Sequence, residues 1–266
     1  MRALVLALLL LLGACAEKPK VLRVCADPNN LPFSNDRGEG FENKLAELVA
    51  KDLGAKVEYT WWAQRRGFVR NTINEGRCDI WPGVASSLGM LGTTRPYYRS
   101  TYVFVTRADR DLDIRSFDDP RLKTATIGVQ MVGDDASNTP PTHALSRRGI
   151  VGNVRGYMLY GDYKEANPPA AIVQAVDRGD IDIAIVWGPL AGYFAAQGQH
   201  PLRVTPVQPC LDGPQWPMVF DVSMGVRKDD AELRARLEQV LERRRPEIAA
   251  LLASYHVPLA AGPGLP

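Results

Sequence analysis

The chain has 266 residues, of which 23% are charged and 45% are hydrophobic. This length and balance allow one or two globular domains with a sizeable core and exclude a disordered or fibrous protein. Because the formal net charge is only +2, the overall charge argues against nucleic acid or another polyanion as partner. Four cysteines are too few for a disulfide scaffold and lack the paired spacing of a structural zinc site.

The first residues predict export. Arg2 is followed by an apolar run over residues 3–12, which is too short to span a membrane stably, so residues 1–14 are predicted to be a signal peptide. Gly13 and Ala14 precede Cys15, and this segment resembles the bacterial lipobox, in which the cysteine receives diacylglycerol. A plain signal peptide with an incidental cysteine is the alternative. In both cases we expect the mature chain in the periplasm, with Cys15 as its lipid anchor in the first.

Three cysteines remain if Cys15 carries lipid, so at most one intramolecular disulfide can form among Cys25, Cys78 and Cys210. Cys25 and Cys78 lie on predicted strands and could equally be buried free thiols. The sequence leaves the pairing open.

Strands and helices alternate in the first part of the mature chain. Apolar and alternating patterns predict strands over residues 21–26, 57–61 and 78–84, and helical spacing of apolar residues predicts helices over 41–53 and 64–75. This order implies parallel strands joined by right-handed crossovers.

A second α/β unit is predicted after a strand over residues 101–106 and an acid-rich stretch over residues 109–120. Its helices are expected from Pro140, after Asn167 and over residues 189–197. Its strands, and the strand that returns to the first unit, are expected over residues 124–130, 154–160, 181–187, 202–207 and 220–226. Two further helices, the second opening at Pro246, are expected at the C-terminus.

The predicted architecture is therefore α/β with two lobes, a hinge and a central cleft. Residues 15–106 and 218–266 are assigned to the first lobe and residues 107–217 to the second. Because open α/β sheets bind ligands at the carboxyl ends of their strands, the cleft is the expected binding site.

Short motifs along nearly all of the mature chain resemble the periplasmic solute-binding proteins of the family that includes polar amino-acid receptors. They are Leu22-Arg23-Val24-Cys25-Ala26-Asp27-Pro28, Gly40-Phe41-Glu42, Gly76-Arg77-Cys78-Asp79-Ile80, Pro96-Tyr97-Tyr98, Ile127-Gly128-Val129-Gln130 and Gly179-Asp180-Ile181-Asp182. The resemblance implies the type II periplasmic binding protein fold. It does not by itself imply a transport function, because one scaffold serves several functions.

Two residues depart from the amino-acid receptors of this family. Ser87 stands where the resemblance implies an Arg that grips the ligand carboxylate, and Trp187 stands where it implies an acid for the ligand ammonium. Burying both charged ends of an amino acid without partners would cost several kcal/mol. We therefore do not expect an α-amino acid ligand; Arg95 or Arg99 could replace the missing Arg only in a rebuilt loop.

Longer runs resemble a narrower group, the MoxJ/XoxJ-type proteins. They are Asp27-Pro28-Asn29-Asn30-Leu31-Pro32-Phe33-Ser34-Asn35, Gly38-Glu39-Gly40-Phe41-Glu42-Asn43-Lys44, Tyr59-Thr60-Trp61-Trp62-Ala63-Gln64-Arg65-Arg66-Gly67-Phe68-Val69-Arg70, Thr93-Thr94-Arg95-Pro96-Tyr97-Tyr98-Arg99-Ser100 and Phe220-Asp221-Val222-Ser223-Met224-Gly225-Val226-Arg227. This resemblance implies an accessory role in alcohol oxidation, by contact with or maturation of a PQQ-dependent methanol dehydrogenase.

Candidate residues of the cleft come from loops after the strands, from the aromatic and basic segment and from the family positions. They are Asp27, Asn29, Asn30, Phe33, Trp62, Arg65, Arg66, Ser87, Arg95, Tyr97, Gln130 and Trp187. Asp27 to Asn30 is also ordinary turn chemistry. Trp62 with Arg65 and Arg66 would suit a flat anion or a protein partner, whereas the alternative places Trp61 in the core and the arginines in solvent.

The sequence gives little support for catalysis. His143, His200 and His256 share no helical spacing, and neither a nucleophile elbow nor a zinc-protease motif occurs. We expect no enzyme activity, no cofactor and no metal. A dehydratase, which needs only one placed acid such as Asp27, Asp134, Asp135 or Glu165, and a receptor for a non-amino-acid solute are the alternatives. A cleft wider than a small molecule needs would favour the protein partner.

Overall fold

The computed structural model of the protein describes residues 20–132, 137–160 and 163–261. The predicted signal peptide, Cys15, Asp134 and Asp135 lie outside the described residues. Within the ranges described, no helix is long and apolar enough to cross a membrane.

Strands and helices alternate through both halves of the chain, as the sequence predicts. The strands are β1 (Lys20–Ala26), β2 (Asn29–Asn30), β3 (Ser34–Asn35), β4 (Ala55–Trp61), β5 (Ile80–Ala85), β6 (Gly92–Thr93), β7 (Tyr98–Arg107), β8 (Ile127–Val132), β9 (Ser137–Asn138), β10 (Val154–Met158), β11 (Ile183–Trp187), β12 (Leu202–Pro206), β13 (Leu211–Asp212), β14 (Trp216–Pro217) and β15 (Val219–Val226). The α-helices are α1 (Phe41–Asp52), α2 (Phe68–Asn71), α3 (Pro140–Arg147), α4 (Ala171–Arg178), α5 (Gly188–Ala195), α6 (Ala231–Arg243) and α7 (Arg245–Ser254).

The first lobe is built on a parallel unit. β1 pairs in parallel with β4 on one side and with β5 on the other, which confirms the predicted parallel pairing. β15 returns to this lobe and pairs antiparallel with β5, so the predicted return strand is also confirmed. Helices α1, α6 and α7 cover the sheet with the apolar residues Leu45, Val49, Leu237, Val240 and Ile248.

The second lobe repeats the plan. β8 lies between β10 and β11 and is parallel to both. Two clusters fill this lobe, one on each face of its sheet, and Ile172, Val173 and Val176 of α4 lie in one of them. The continuous apolar run of β11 is buried on both faces, as its sequence predicts.

Two long strands connect the lobes. Residues 98–101 of β7 pair antiparallel with β15, whereas residues 102–107 pair with β11 and β12 in the sheet of the second lobe. The strand order β10-β8-β11-β7-β15-β5-β1-β4 is therefore continuous across the molecule. The change of lobe takes place within β7, and side chains near its middle lie between the two lobes.

A disulfide joins Cys25 of β1 to Cys78, with 5.5 Å between the Cα atoms, and this settles the pairing that the sequence left open. Cys210 is free and exposed. Around the disulfide pack Phe68, Val69 and Ile73.

The helix predicted over residues 64–75 is wrong in its extent. Only Phe68–Asn71 is helical, because Gly67 takes a left-handed φ of 89° before it and the backbone leaves the helical region at Thr72. The Thr72 hydroxyl donates to the Phe68 carbonyl at 2.6 Å. Such local bonds compete with helix continuation, while the apolar residues still face the core.

The two lobes touch on both sides of the cleft. Leu31 of the first lobe is 5% exposed and lies in the core cluster of the second lobe, and Asn29 Nδ2 donates to the Glu165 carbonyl at 2.8 Å. On another side the rings of Tyr193 and Tyr255 stack with their centroids 5.6 Å apart. The lobes are therefore in direct contact beside the cleft as well as through the connecting strands.

Candidate functional site

A cavity of about 340 Å³ lies between the lobes. Its lining combines residues of β5, β7, β8, β11 and β15, the start of α1 and the segments after β1, β4 and β10. They are Asn30, Phe33, Glu42, Gln64, Trp81, Gly83, Val84, Ala85, Tyr98, Tyr102, Gln130, Tyr160, Trp187, Phe220 and Val222. The volume is at the lower end of the range typical of small-molecule sites.

Three aromatic rings from three different strands form one wall of the cavity. Tyr102 lies 5.4 Å from Trp187 and 6.3 Å from Phe220, and Trp187 lies 5.9 Å from Phe220, all between ring centroids and in edge-to-face geometry. β7, β11 and β15 meet at the change of lobe, and this places the rings together. Such a wall favours an apolar group or the face-on approach of a cation.

Glu42 is the carboxyl group of the cavity. It follows Phe41 in the first turn of α1, and its backbone NH donates to the Phe33 carbonyl at 2.9 Å. A Cβ at position 40 would overlap the backbone of Phe33, so Gly40 permits this close approach. The start of the helix thus holds the Glu42 side chain against β5.

The Glu42 carboxyl is nearly cut off from solvent. The residue is 3% exposed, its Oε2 atom has no hydrogen-bond partner, and its carboxyl occupies the space that a side chain at Gly83 would need. Burial raises the pKa of Glu42 to about 8, and no charged neighbour contributes to this pKa. The charge of Glu42 in turn helps to raise the pKa values of the phenols of Tyr59, Tyr97, Tyr98 and Tyr160.

Two amide side chains reach the cavity from opposite lobes. Asn30 Nδ2 donates to Gln64 Oε1 at 2.7 Å, and Gln130 Nε2 donates to the Tyr160 hydroxyl at 2.8 Å. The amide oxygens of Asn30 and Gln130 have no partner, and neither does the Trp81 indole NH. Since buried polar groups are normally paired, these atoms are available to a ligand.

Asp27 holds in place the loops that carry Asn30 and Gln64. Its carboxylate accepts hydrogen bonds from the backbone NH groups of Gln64 at 2.8 Å and Asn29 at 2.9 Å. Burial raises the pKa of Asp27, and these two hydrogen bonds act in the opposite direction. Asp27 thus fixes the loops that present Asn30 and Gln64 and does not itself line the cavity.

The electrostatic character of the cavity follows from its lining. Among the residues that the structure describes, no Arg, Lys or His lines the cavity. Of the four buried polar atoms of this lining that lack a partner, three are acceptors, and one of these belongs to a carboxyl group. The site is suited to a ligand that donates hydrogen bonds, and it offers no cation to a ligand carboxylate.

Comparison with known proteins shows which family the chain belongs to. Residues 22–257 match the model of bacterial extracellular solute-binding proteins, family 3. The chain belongs to this family. It is 35% identical to Protein MoxJ of Methylorubrum extorquens, over 93% of this chain and 85% of that protein, and 31% identical to Protein MoxJ of Paracoccus denitrificans, over 90% and 88%.

A solved structure agrees with this assignment. The periplasmic binding protein XoxJ from Methylobacterium extorquens AM1 is 40% identical to this chain and superimposes with a TM-score of 0.74, covering 91% of this chain and 100% of that one. The predicted resemblance to MoxJ/XoxJ-type proteins and the predicted two-lobed α/β fold are confirmed. Membership of this family supports a location outside the cytoplasm and a binding role in place of an enzymatic one.

Only some of the residues predicted for the cleft line the cavity, and these are Asn30, Phe33, Gln130 and Trp187. Asn29 lies at the contact between the lobes, where its amide meets the Glu165 backbone.

The aromatic and basic segment lies off the cavity lining. Trp62 is half-buried against the disulfide cluster, and the Arg77 guanidinium lies 5.7 Å from the centre of its ring. Arg65 and Arg66 are exposed on the same segment. Trp62 and these two arginines are not among the residues that line the cavity; they form a surface beside it.

Three further predicted residues are also absent from the lining. Ser87 is exposed in the turn after β5. Arg95 is exposed and pairs with Glu238 of α6 at 3.7 Å, and the buried Tyr97 donates from its hydroxyl to the Pro82 carbonyl at 3.0 Å. None of these three residues is among those that line the cavity.

Several lining residues escaped the sequence analysis, above all Glu42, Trp81, Tyr102 and Phe220. The alternation along β5, which buries Ile80, Pro82 and Val84, would have placed Trp81 on the opposite face. Glu42 could have been noticed as an acid at the start of an otherwise apolar helix face. Tyr102 and Phe220 enter the site only because β7 and β15 cross between the lobes.

Proposed function

We propose that the chain is a non-catalytic, periplasmic accessory or maturation partner of a PQQ-dependent methanol dehydrogenase. The observation that carries this proposal is the 35% identity to Protein MoxJ over 93% of the chain. The long runs that resemble MoxJ/XoxJ-type proteins point the same way, because that group is associated with methanol oxidation. The dehydrogenase, with its bound PQQ, is the partner; the chain itself needs no cofactor.

The composition of the cavity supports a role other than amino-acid uptake. The acid position of the amino-acid receptors is Trp187, and the described lining has no cation. An amino acid bound there would leave its carboxylate without a charged partner, which costs several kcal/mol. The scaffold is therefore free for a different function.

We propose the aromatic and basic surface beside the cavity as the contact with the dehydrogenase. Arg65, Arg66, Arg70 and Arg77 are all exposed on the segment that the disulfide ties to β1. Arginine and tryptophan are the residues that dominate protein interfaces. An acidic face on the dehydrogenase would be complementary to this surface.

The test is binding of the full mature chain to methanol dehydrogenase purified from the same organism, by biolayer interferometry and native mass spectrometry. A 1:1 or higher complex is expected. The double variant R66E/R70E should weaken it at least tenfold, whereas R236E on α6 should not. The proposal is overturned if no complex forms with either the PQQ-loaded or the PQQ-free dehydrogenase.

A receptor for a non-amino-acid solute is the second candidate. The cavity of about 340 Å³ suits a small molecule and is no wider than one needs, and this favours solute capture. A small mass retained in native spectra, with no protein partner, would support this candidate against the first.

Lipid anchoring through Cys15 is also a proposal. The intact mass of the mature protein from the membrane fraction should include diacylglycerol on Cys15. Recovery of C15S in the soluble periplasmic fraction would agree with this, and an unmodified wild-type N-terminus would contradict it.

A further inference from the structure

The polar atoms without partners are concentrated in one place. Seven buried side-chain nitrogen or oxygen atoms of the described residues have no hydrogen-bond partner. Four of them belong to residues that line the cavity between the lobes: Asn30 Oδ1, Glu42 Oε2, Trp81 Nε1 and Gln130 Oε1. Since such atoms are rare in folded proteins and costly when unpaired, their clustering indicates a binding site.

The types of these atoms specify the ligand. Three of the four are acceptors, and one of these belongs to a carboxyl group; the Trp81 indole NH is the single donor. A ligand that pairs with the three acceptors must itself donate hydrogen bonds. The amide NH₂ groups of Asn30 and Gln130 are already used within the protein, so their free oxygens cannot be exchanged for donors without breaking those bonds.

The charge of the cavity lining further restricts the ligands that can bind there. Glu42 is 3% exposed, and none of the described lining residues is a cation that could neutralise it. A bound cation would convert this uncompensated carboxyl into a charge-assisted hydrogen bond. The rings of Tyr102, Trp187 and Phe220 can cover an alkyl chain or the face of a cation.

We infer that the cavity binds a primary alkylammonium ion without a carboxylate, whose NH₃⁺ group donates to Glu42, Asn30 and Gln130 and whose alkyl chain packs on the aromatic wall. The inference does not depend on a dehydrogenase partner. The bound ion would use Trp187 as part of the aromatic wall, and because it has no carboxylate it needs no Arg in place of Ser87. These are the two positions at which the chain departs from amino-acid receptors.

The inference is tested by isothermal titration calorimetry of the full mature chain with n-butylammonium chloride. Three ligands of related size serve as controls: butyrate, n-butanol and tetramethylammonium, which has charge but no NH donor. n-Butylammonium should bind at least tenfold more tightly than each of them. If butyrate or n-butanol binds equally well, or if n-butylammonium does not bind, the inference is wrong.

A variant pair isolates the carboxyl group. E42Q keeps the shape of the side chain and should weaken n-butylammonium binding about 10- to 100-fold. E47Q lies on the exposed side of the same helix, where Glu47 is paired with Lys44 at 3.6 Å, and should bind like the wild type. Circular dichroism establishes that both variants are folded. Equal affinity of E42Q and E47Q would overturn the inference.

The pH dependence of wild-type binding gives a second readout that needs no variant. Because Glu42 has a pKa of about 8 in the free protein and must be ionised to receive a cation, the affinity should rise about tenfold from pH 7 to about pH 9. Affinity that is constant or falls over this interval contradicts the inference. Loss of dehydrogenase binding with retention of alkylammonium binding would refute the proposed function alone.

Discussion

The free energy of unfolding of the wild type should fall as pH rises, and replacement of Glu42 by Gln should abolish the part of this fall that Glu42 causes. The Glu42 carboxyl is buried, its Oε2 has no partner, and burial is the single cause of its raised pKa. The folded protein therefore holds this group protonated, while the unfolded chain ionises it readily. Gln has the same shape and cannot ionise.

The expected magnitude follows from the two pKa values. The pKa of Glu42 is about 8 in the folded protein and 4.5 for an ordinary glutamate, and each pKa unit corresponds to about 1.4 kcal/mol. The folded state binds one more proton than the unfolded state between these values, so the free energy of unfolding falls as pH rises. The contribution of Glu42 is intact below pH 4.5 and is lost by about pH 9, a fall on the order of 5 kcal/mol.

Urea unfolding followed by circular dichroism measures this effect. Wild type, E42Q and E47Q are compared at pH 5, 6, 7, 8 and 9, without amines in the buffer. Other titrating groups are common to the three proteins, so their contributions cancel in the differences. The free energy of unfolding of E42Q relative to wild type should rise by several kcal/mol from pH 5 to pH 9, while E47Q should follow wild type.

The reasoning is refuted if E42Q and wild type keep a constant difference in unfolding free energy from pH 5 to pH 9. Such a result would mean that Glu42 ionises at an ordinary pH in the folded protein, so that water or a neighbouring group satisfies Oε2.

Three further outcomes are expected. G83A pushes a methyl group into the buried carboxyl and should lower the free energy of unfolding by about 1 to 3 kcal/mol in urea titration, whereas G89A, with open space around it, should change it little. C78S removes a disulfide that spans 53 residues and should destabilise by about 4 kcal/mol on the chain-entropy model; C210S should leave stability unchanged, and an equal loss in both would contradict the role of the disulfide. L31A removes a contact between lobes worth about 2 kcal/mol or more, so the radius of gyration from small-angle scattering should rise; an unchanged radius would show that other contacts keep the lobes closed.

The sequence alone determined the elements and their order. Alternation and helical spacing gave the strands around Val24, Val129 and Ile185 and the long helices, because each pattern reflects a face that must be buried. The order of strands and helices, together with motifs such as Gly40-Phe41-Glu42, was enough for the two-lobed fold and its family. The helix predicted over residues 64–75 failed because local hydrogen bonds at Thr72 and the left-handed Gly67 cannot be read from apolar periodicity.

Only some of the residues that line the cavity could be predicted from the sequence. Asn30, Phe33, Gln130 and Trp187 follow strands or stand at family positions, so their place at the edge of a sheet could be predicted. Position along the chain does not give the direction of a side chain, and for this reason the sequence could not show that Ser87, Arg95 and Tyr97 do not line the cavity.

What the tertiary structure alone decided is the chemistry of the cavity. Tyr102 and Phe220 meet Trp187 because β7 and β15 cross between the lobes, and this contact joins residues far apart in the chain. The raised pKa of Glu42 comes from its burial against Gly83 of another element. The aromatic contact depends on how the two lobes pack together, and the burial of Glu42 depends on how α1 packs against β5 within the first lobe, and sequence patterns fix neither distance.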